Sequence, residues 1–162
     1  DVVESAKESA KSNNKATATT AMEERVALVF VYPNMDPGVI DWYVERGYKG
    51  IILAATALGH VPTNGERSLL PAIERAHRNG VAVIIASQTL YGRVHPYVYT
   101  NLRMLSIKLN CIFVDDMLPE VAYVKLMHVL PQCKTLDDVR TKMRTPVAGE
   151  ISERELPEEF LA

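Results

Sequence analysis

"GIILAATALGHVPTNGERSLLPAIERAHRNGVAVIIA" spans residues 50–86, and its reading decides the fold. It opens and closes on unbroken apolar runs, "KGIILAA" at 49–55 and "VAVIIA" at 81–86. Runs without polar alternation belong to strands covered on both faces, the habit of parallel sheets. Between them, Leu69, Leu70, Ile73 and Ala76 share one face of a helix that ends at Asn79-Gly80. Strand, loop, helix and strand in that order make a βαβ unit.

The same punctuation continues on both sides. Upstream, "RVALVFVY" (25–32) reads as a buried strand. "DPGVIDWYVERG" (36–47) reads as a helix with Asp36 as its cap, Pro37 at the first helical position and Gly47 as its stop. Downstream, Val98, Leu102, Leu105 and Leu109 fall at helical spacing, and "CIFV" (111–114) is a short fourth strand. "DDMLPEVAYVKLMHVL" (115–130) predicts a helix that is apolar almost all round apart from Lys125 and His128, and so largely buried. "TLDDVRTKMR" (135–144) adds a last helix, capped by Thr135 with Asp138 three residues on. The expected fold class is α/β: a small doubly wound, Rossmann-like sheet of about four parallel strands with flanking helices.

Composition narrows the function classes. A chain of 162 residues suffices for one domain with a core. Its net charge of −2 supplies no broad basic field, so nucleic acid is not the default partner. Cys111 and Cys133 form neither a CxxC pair nor a zinc set, and no metal or cofactor is expected. No apolar run approaches the ~20 residues of a membrane span, and the start lacks the pattern of a secretory signal. A soluble, cytoplasmic protein without a membrane partner is the expectation. Residues 1–24, rich in Ser, Ala, Thr, Lys, Glu and Asn, read as a linker or flexible arm, with a helix through Val2–Lys11 as the alternative. Residues 25–152 form the expected domain and 153–162 a C-terminal tail.

In such a sheet, ligands collect at the carboxyl ends of the strands. Three loops meet there, Tyr32–Asp36, Ala55–Arg67 and Ser87–Pro96, and Asp115 and Asp116 follow the fourth strand on the same edge. The candidate ligand or subunit-edge contacts are Thr56, His60, Ser87, Gln88, Thr89, Tyr91, Arg93 and Asp116. Each has a plainer reading. His60 suits a turn, and Asp116 suits a helix cap. His77 suits a solvent-facing helix side, and His128 a packing hydrogen bond within the buried helix. Arg93 has a planar fork that fits a carboxylate, of a substrate or of a neighbouring subunit. Thr89 or Ser87 would need a base to act as nucleophile, and no catalytic set is complete. GxSxG, Walker and GxGxxG motifs are absent.

"GYKGIIL", "LGHVP", "SQTLYGRV", "DDMLPEVAYVKLMHVL" and the closing "AGEIS" together resemble the C-terminal domain of the asparaginase/glutaminase family. Within it the resemblance is to the D subunits of archaeal glutamyl-tRNA(Gln) amidotransferases, and it covers about residues 25–152. The resemblance implies a second, N-terminal α/β domain that holds the catalytic threonines, aspartate and lysine, in TGGT and TDT motifs that this chain lacks. It implies a glutaminase-type activity on L-glutamine or L-asparagine that releases ammonia for amidation of Glu-tRNA(Gln), with tRNA involved only indirectly. The implied partners are the N-terminal asparaginase-type domain or a companion amidotransferase subunit, a second copy in a homodimer, and a small amino acid (Gln, Asn, Asp or Glu). This chain would supply dimer and active-site-edge contacts and be inactive alone. A non-catalytic amino-acid-binding or structural domain in a larger assembly is the alternative. The family's EGTGLGH reads Ala54-Ala55-Thr56-Ala57-Leu58-Gly59-His60 here, so a carboxylate and two glycines are replaced. An effector-binding arginine found near Ala54 in bacterial relatives is also missing. A changed shape is expected for this loop wherever a positive φ is required.

Overall fold

The computed structural model describes residues 21–153; residues 1–20 and 154–162, with most of the expected arm and tail, lie outside them. Four strands, β1 (Val26–Phe30), β2 (Gly50–Ala55), β3 (Ala82–Ser87) and β4 (Ile112–Phe113), form one parallel sheet in the order β1-β2-β3-β4. Between them run α1 (Gly38–Glu45), α2 (Leu70–Arg78) and α3, an α-turn at Thr100–Arg103 that widens into a π-turn at Met104–Lys108. After β4 come α4 (Pro119–Val129) and α5 (Leu136–Met143).

Alternation along each strand sorts the core into two layers. Ala27, Val29, Ile51, Leu53, Val83, Ile85 and Phe113 pack with Ile40 of α1, Ala72, Ile73 and Ala76 of α2, and Leu102 and Leu105 of α3. Val26, Ile52, Ala82, Ile84 and Ile112 pack on the other face with Ala122, Leu126 and Val129 of α4 and Val139 and Met143 of α5. Helices cover both faces, as the continuous apolar runs require. The winding itself goes one way only. Because the strand order never reverses, crossovers of one hand lay all three connecting helices on one face. The second face is closed by α4, which crosses back over β1, β2 and β3. Gly50 permits its close approach, since a Cβ there would lie 2.5 Å from Leu126 Cδ2.

Two local expectations change. The segment before α3 stays extended at Tyr99, because Arg103 Nη1 reaches back to the Tyr97 and Val98 carbonyls at 2.7 and 3.2 Å. Val98 is therefore exposed, while Leu102 and Leu105 keep their buried places. On α4 the expected pattern is inverted. Lys125 is the buried residue, its side chain 8% exposed, while Val121 and Val124 face outward. The segment after α5 returns along the helix and supplies what the ammonium needs. Lys125 Nζ donates to the Thr145 carbonyl at 2.7 Å and to Glu150 Oε1 at 2.5 Å. The capping box at Thr135 forms as read, with Asp138 N donating to Thr135 Oγ1 at 3.1 Å and Thr135 N to Asp138 Oδ2 at 2.9 Å.

Burial alone would raise the Glu150 carboxyl, but the Lys125 hydrogen bond and the amides of Ala148 and Val147 outweigh it and hold it down to about 2. A depressed carboxyl stabilises the fold fully above its ordinary value of 4.5, and that stability is lost as pH falls towards about 2. Thermal unfolding midpoints measured across that window are expected to drop in the wild type and to flatten in Glu150→Gln. At neutral pH, Glu150→Gln leaves a buried ammonium without its counter-charge and is expected to cost about 3 kcal/mol in urea titrations. Adding Lys125→Met should recover most of that loss, because a buried pair replaced as a whole is close to neutral.

Candidate functional site

The carboxyl edge of the sheet is knitted together by the polar residues at and after the end of β3. Ser87, 2% exposed, donates its hydroxyl to the Ala57 carbonyl at 2.7 Å, joining the loops after β3 and β2. Gln88 Nε2 donates to the Val31 and Ala54 carbonyls, both at 2.6 Å, across the ends of β1 and β2. Thr89 Oγ1 lies 2.5 Å from Ser87 Oγ, and no base is among its hydrogen-bond partners in the described residues. A Cβ on Gly92 would overlap Thr89 Oγ1, so the turn closes only around glycine there.

In the loop after β2, Thr56 and His60 form an isolated antiparallel bridge, and Thr56 Oγ1 donates to the His60 carbonyl at 3.2 Å. The His60 ring stands 5.4 Å from that of Tyr99. Ala57, where the resembling family has glycine, sits at φ 46°, a left-handed conformation strained for any residue with a Cβ. The backbone takes a turn here that glycine suits.

Arg93 turns its guanidinium inward to the chain's own groups. Its Nη1 lies 3.3 Å from Asp115 Oδ1, and its Nη2 lies 3.5 Å from Asp116 Oδ1 and 2.5 Å from the Ser152 carbonyl. Asp116 caps no helix; it accepts the Ser152 amide at 3.1 Å and the Ser152 hydroxyl. Arg93 and Asp116 together fasten the end of the described chain to the sheet edge. Asp115, at φ 55°, also faces Arg144 at 3.7 Å, a bridging role the sequence pattern did not reveal. A half-open pocket beside it, lined by Tyr97, Ser106, Arg140 and Arg144 among others, has a volume of about 50 Å³. That is room for one or two waters and not for a free amino acid.

The outward surface of the edge is aromatic and aliphatic. Tyr32, Leu90, Tyr91, Tyr97, Val98 and Tyr99 are all exposed there. Only Tyr91 of these stood among the candidates; an excess of tyrosine in otherwise polar loops was the readable sign of the others. His77 and His128 lie elsewhere. His77 is half-buried with Nε2 3.7 Å from Cys111 Sγ, and burial and then the Arg140 charge push its pKa down. Burial pushes the Cys111 thiol up to about 12, which leaves it an inert packing group. The His128 ring lines a groove on α4 and makes no hydrogen bond to a described residue.

Ala57→Gly is expected to stabilise the chain by about 0.5–1 kcal/mol, the relieved strain exceeding the added chain entropy. Gly92→Ala is expected to destabilise by about 1–3 kcal/mol through overpacking against Thr89. Urea denaturation of the two variants beside the wild type checks both signs.

Comparison with known proteins places this arrangement. The chain is 46% identical over 142 residues to the D subunit of glutamyl-tRNA(Gln) amidotransferase from Pyrococcus abyssi, covering 88% of this chain and 31% of that protein. The corresponding protein of Methanopyrus kandleri is 52% identical over 129 residues, covering 80% and 27%. The chain therefore spans about a third of the length of these relatives. Among solved structures, the thermostable L-asparaginase from Thermococcus kodakarensis superposes with a TM-score of 0.74 at 28% identity, over 83% of this chain and 40% of that one. L-asparaginase I from Vibrio cholerae gives 0.70 at 29%, over 79% and 38%. The glutaminase/asparaginase C-terminal domain model matches residues 25–143, from the residue before β1 to the last residue of α5, and the chain belongs to that family.

Proposed function

We propose that this chain is the C-terminal half of a glutaminase-type subunit, and that its carboxyl edge completes an active site whose nucleophile lies in another domain. The observation that carries the reading is the division of labour on that edge. Ser87, Gln88, Thr89, Arg93 and Asp116 spend their hydrogen bonds inside the chain, while tyrosines and leucine face outward. Such a surface suits packing against a partner and offers no activated nucleophile of its own. The relatives named as D subunits of an amidotransferase support a role in tRNA-dependent amidation, in which hydrolysis of a glutamine side-chain amide yields ammonia. The substrate-bearing partner is then an N-terminal asparaginase-type domain, joined through the segment 1–24. A companion amidotransferase subunit consumes the ammonia, so that tRNA meets this chain only indirectly. Two copies of the chain in the assembly, and contact of Thr56, His60 and Tyr91 with a bound amino acid or a subunit edge, belong to the same proposal.

The test is ammonia release from glutamine and from asparagine. This chain is assayed alone and mixed with the separately produced N-terminal region of the Methanopyrus kandleri protein. Activity is expected only in the mixture. Tyr91→Ala should lower it about tenfold, and Arg93→Ala should lower activity and stability together. Turnover by the chain alone would overturn the proposal and point to Thr89. A mixture that forms a complex yet stays silent would overturn it too.

A further inference from the structure

Two asparagines in the chain are followed by glycine, Asn64 and Asn79. Such a pair can react with itself, because glycine has no side chain to shield its amide nitrogen from the preceding Cγ. The fold treats the two pairs in opposite ways. Asn79 closes α2, and the groups that the reaction needs are held there. Its Nδ2 donates to the Arg75 carbonyl at 2.8 Å. The Gly80 nitrogen that would attack donates to the His77 carbonyl at 2.9 Å. At ψ 11° that nitrogen nearly eclipses the main-chain nitrogen of Asn79 and is turned away from its side chain.

Asn64 and Gly65 lie exposed in the loop between β2 and α2. The base of that loop is pinned, with Leu69 N donating to the Pro62 carbonyl at 2.8 Å. Its tip is not. Among the described residues, neither the Asn64 side chain nor the Gly65 amide has a hydrogen-bond partner. Beyond its chain neighbours, no atom lies within 4 Å of where a Gly65 Cβ would stand, so nothing packs on the turn from that side.

We propose that Asn64 is a site of spontaneous deamidation, by attack of the Gly65 main-chain nitrogen on Asn64 Cγ. The new C–N bond forms as the bond from Cγ to Nδ2 breaks. The side-chain nitrogen leaves as ammonia, taking the proton that the Gly65 amide gives up. Water then opens the cyclic imide. Opening at Cγ leaves aspartate; opening at the main-chain carbonyl leaves isoaspartate, with Gly65 joined through Cγ. Water is the one co-reactant, and nothing is oxidised or reduced. Either product adds a negative charge to the carboxyl edge of the sheet, on a loop that already carries Glu66 and the Arg67–Asp36 pair at 3.3 Å. The inference does not rest on the function proposed above. Its ammonia needs no added substrate and is stoichiometric with the chain, whereas turnover is neither.

The full chain is held in mildly alkaline buffer, folded or in urea, and then digested with trypsin. Asn64 falls in the peptide 50–67, where it is the sole side-chain amide, and Asn79 falls in the peptide 79–93. Mass spectra follow the conversion of amide to acid in each, and enzymatic methylation of isoaspartate reports the rearranged product. In the folded chain Asn64 is expected to convert at least about tenfold faster than Asn79, whose helix end must first open. In urea the two rates should converge. Asn64→Gln should abolish acid and isoaspartate in the peptide 50–67, whereas Asn79→Gln should leave both unchanged. Equal rates in the folded chain overturn the proposal. So does a difference that persists in urea, since the sequence neighbours rather than the fold would then set it. Conversion at Asn64 without isoaspartate overturns it too, because direct hydrolysis of the amide gives aspartate alone.

Discussion

The carboxyl ends of β1 and β2 bring together two main-chain carbonyls, Ala54, which also accepts the Val31 amide at 2.9 Å, and Val31, where the ladder between the strands runs out. Both are taken by one amide, Gln88 Nε2, at 2.6 Å. Buried carbonyls left without partners cost free energy, so a parallel sheet must supply donors where its strands stop. Gln88 does this from the first position after β3, while its main-chain amide donates to Ala55 at 2.8 Å. One residue thus fixes the relative positions of the loops after β1, β2 and β3. The abrupt change from "VAVIIA" to "SQT" is what closing the sheet demands, and every contact that edge can offer a partner depends on it.

The fold was legible because its signals are local. Continuous apolar runs, a cap at Thr135 with Asp138 in reach, and glycines after helices are all read within a few residues of each other. What escaped the sequence depends on partners far along the chain. Lys125 looked like the polar exception on a buried helix, but Glu150, 25 residues on, draws it inside and turns Val121 and Val124 outward. Arg93 looked ready for an external carboxylate, but its carbonyl partner, Ser152, is 59 residues away. His77 was expected in solvent and instead lies against Cys111, 34 residues on. The π-turn at Met104–Lys108 has no compositional sign.

Straight winding has a consequence for the site. In sheets whose order reverses, loops diverge at the switch point and leave a crevice for a ligand. Here the order runs β1-β2-β3-β4, and neighbouring loops are tied side by side. His95 N donates to the Leu58 carbonyl at 3.0 Å and Val94 N to the Asp115 carbonyl at 2.9 Å. The edge that results is braced rather than cleft. That character fits a surface held rigid for another domain better than one that closes around a free ligand, and it agrees with the proposed division of the enzyme into two halves.

The loop after β2 shows how the bracing works. Ala57 holds a left-handed conformation that costs about 1–2 kcal/mol for a residue with a Cβ. Such strain persists only where the surroundings over-determine it. The surroundings here are the Thr56–His60 bridge on one side and the Ser87 hydroxyl, fixed on the Ala57 carbonyl, on the other. The path of this loop is therefore imposed by the loop after β3. The shape of this edge is a property of the tied set: the main-chain and hydroxyl bonds between the loops, rather than the side chains at Ala54, Ala55 and Ala57, fix where the loop runs.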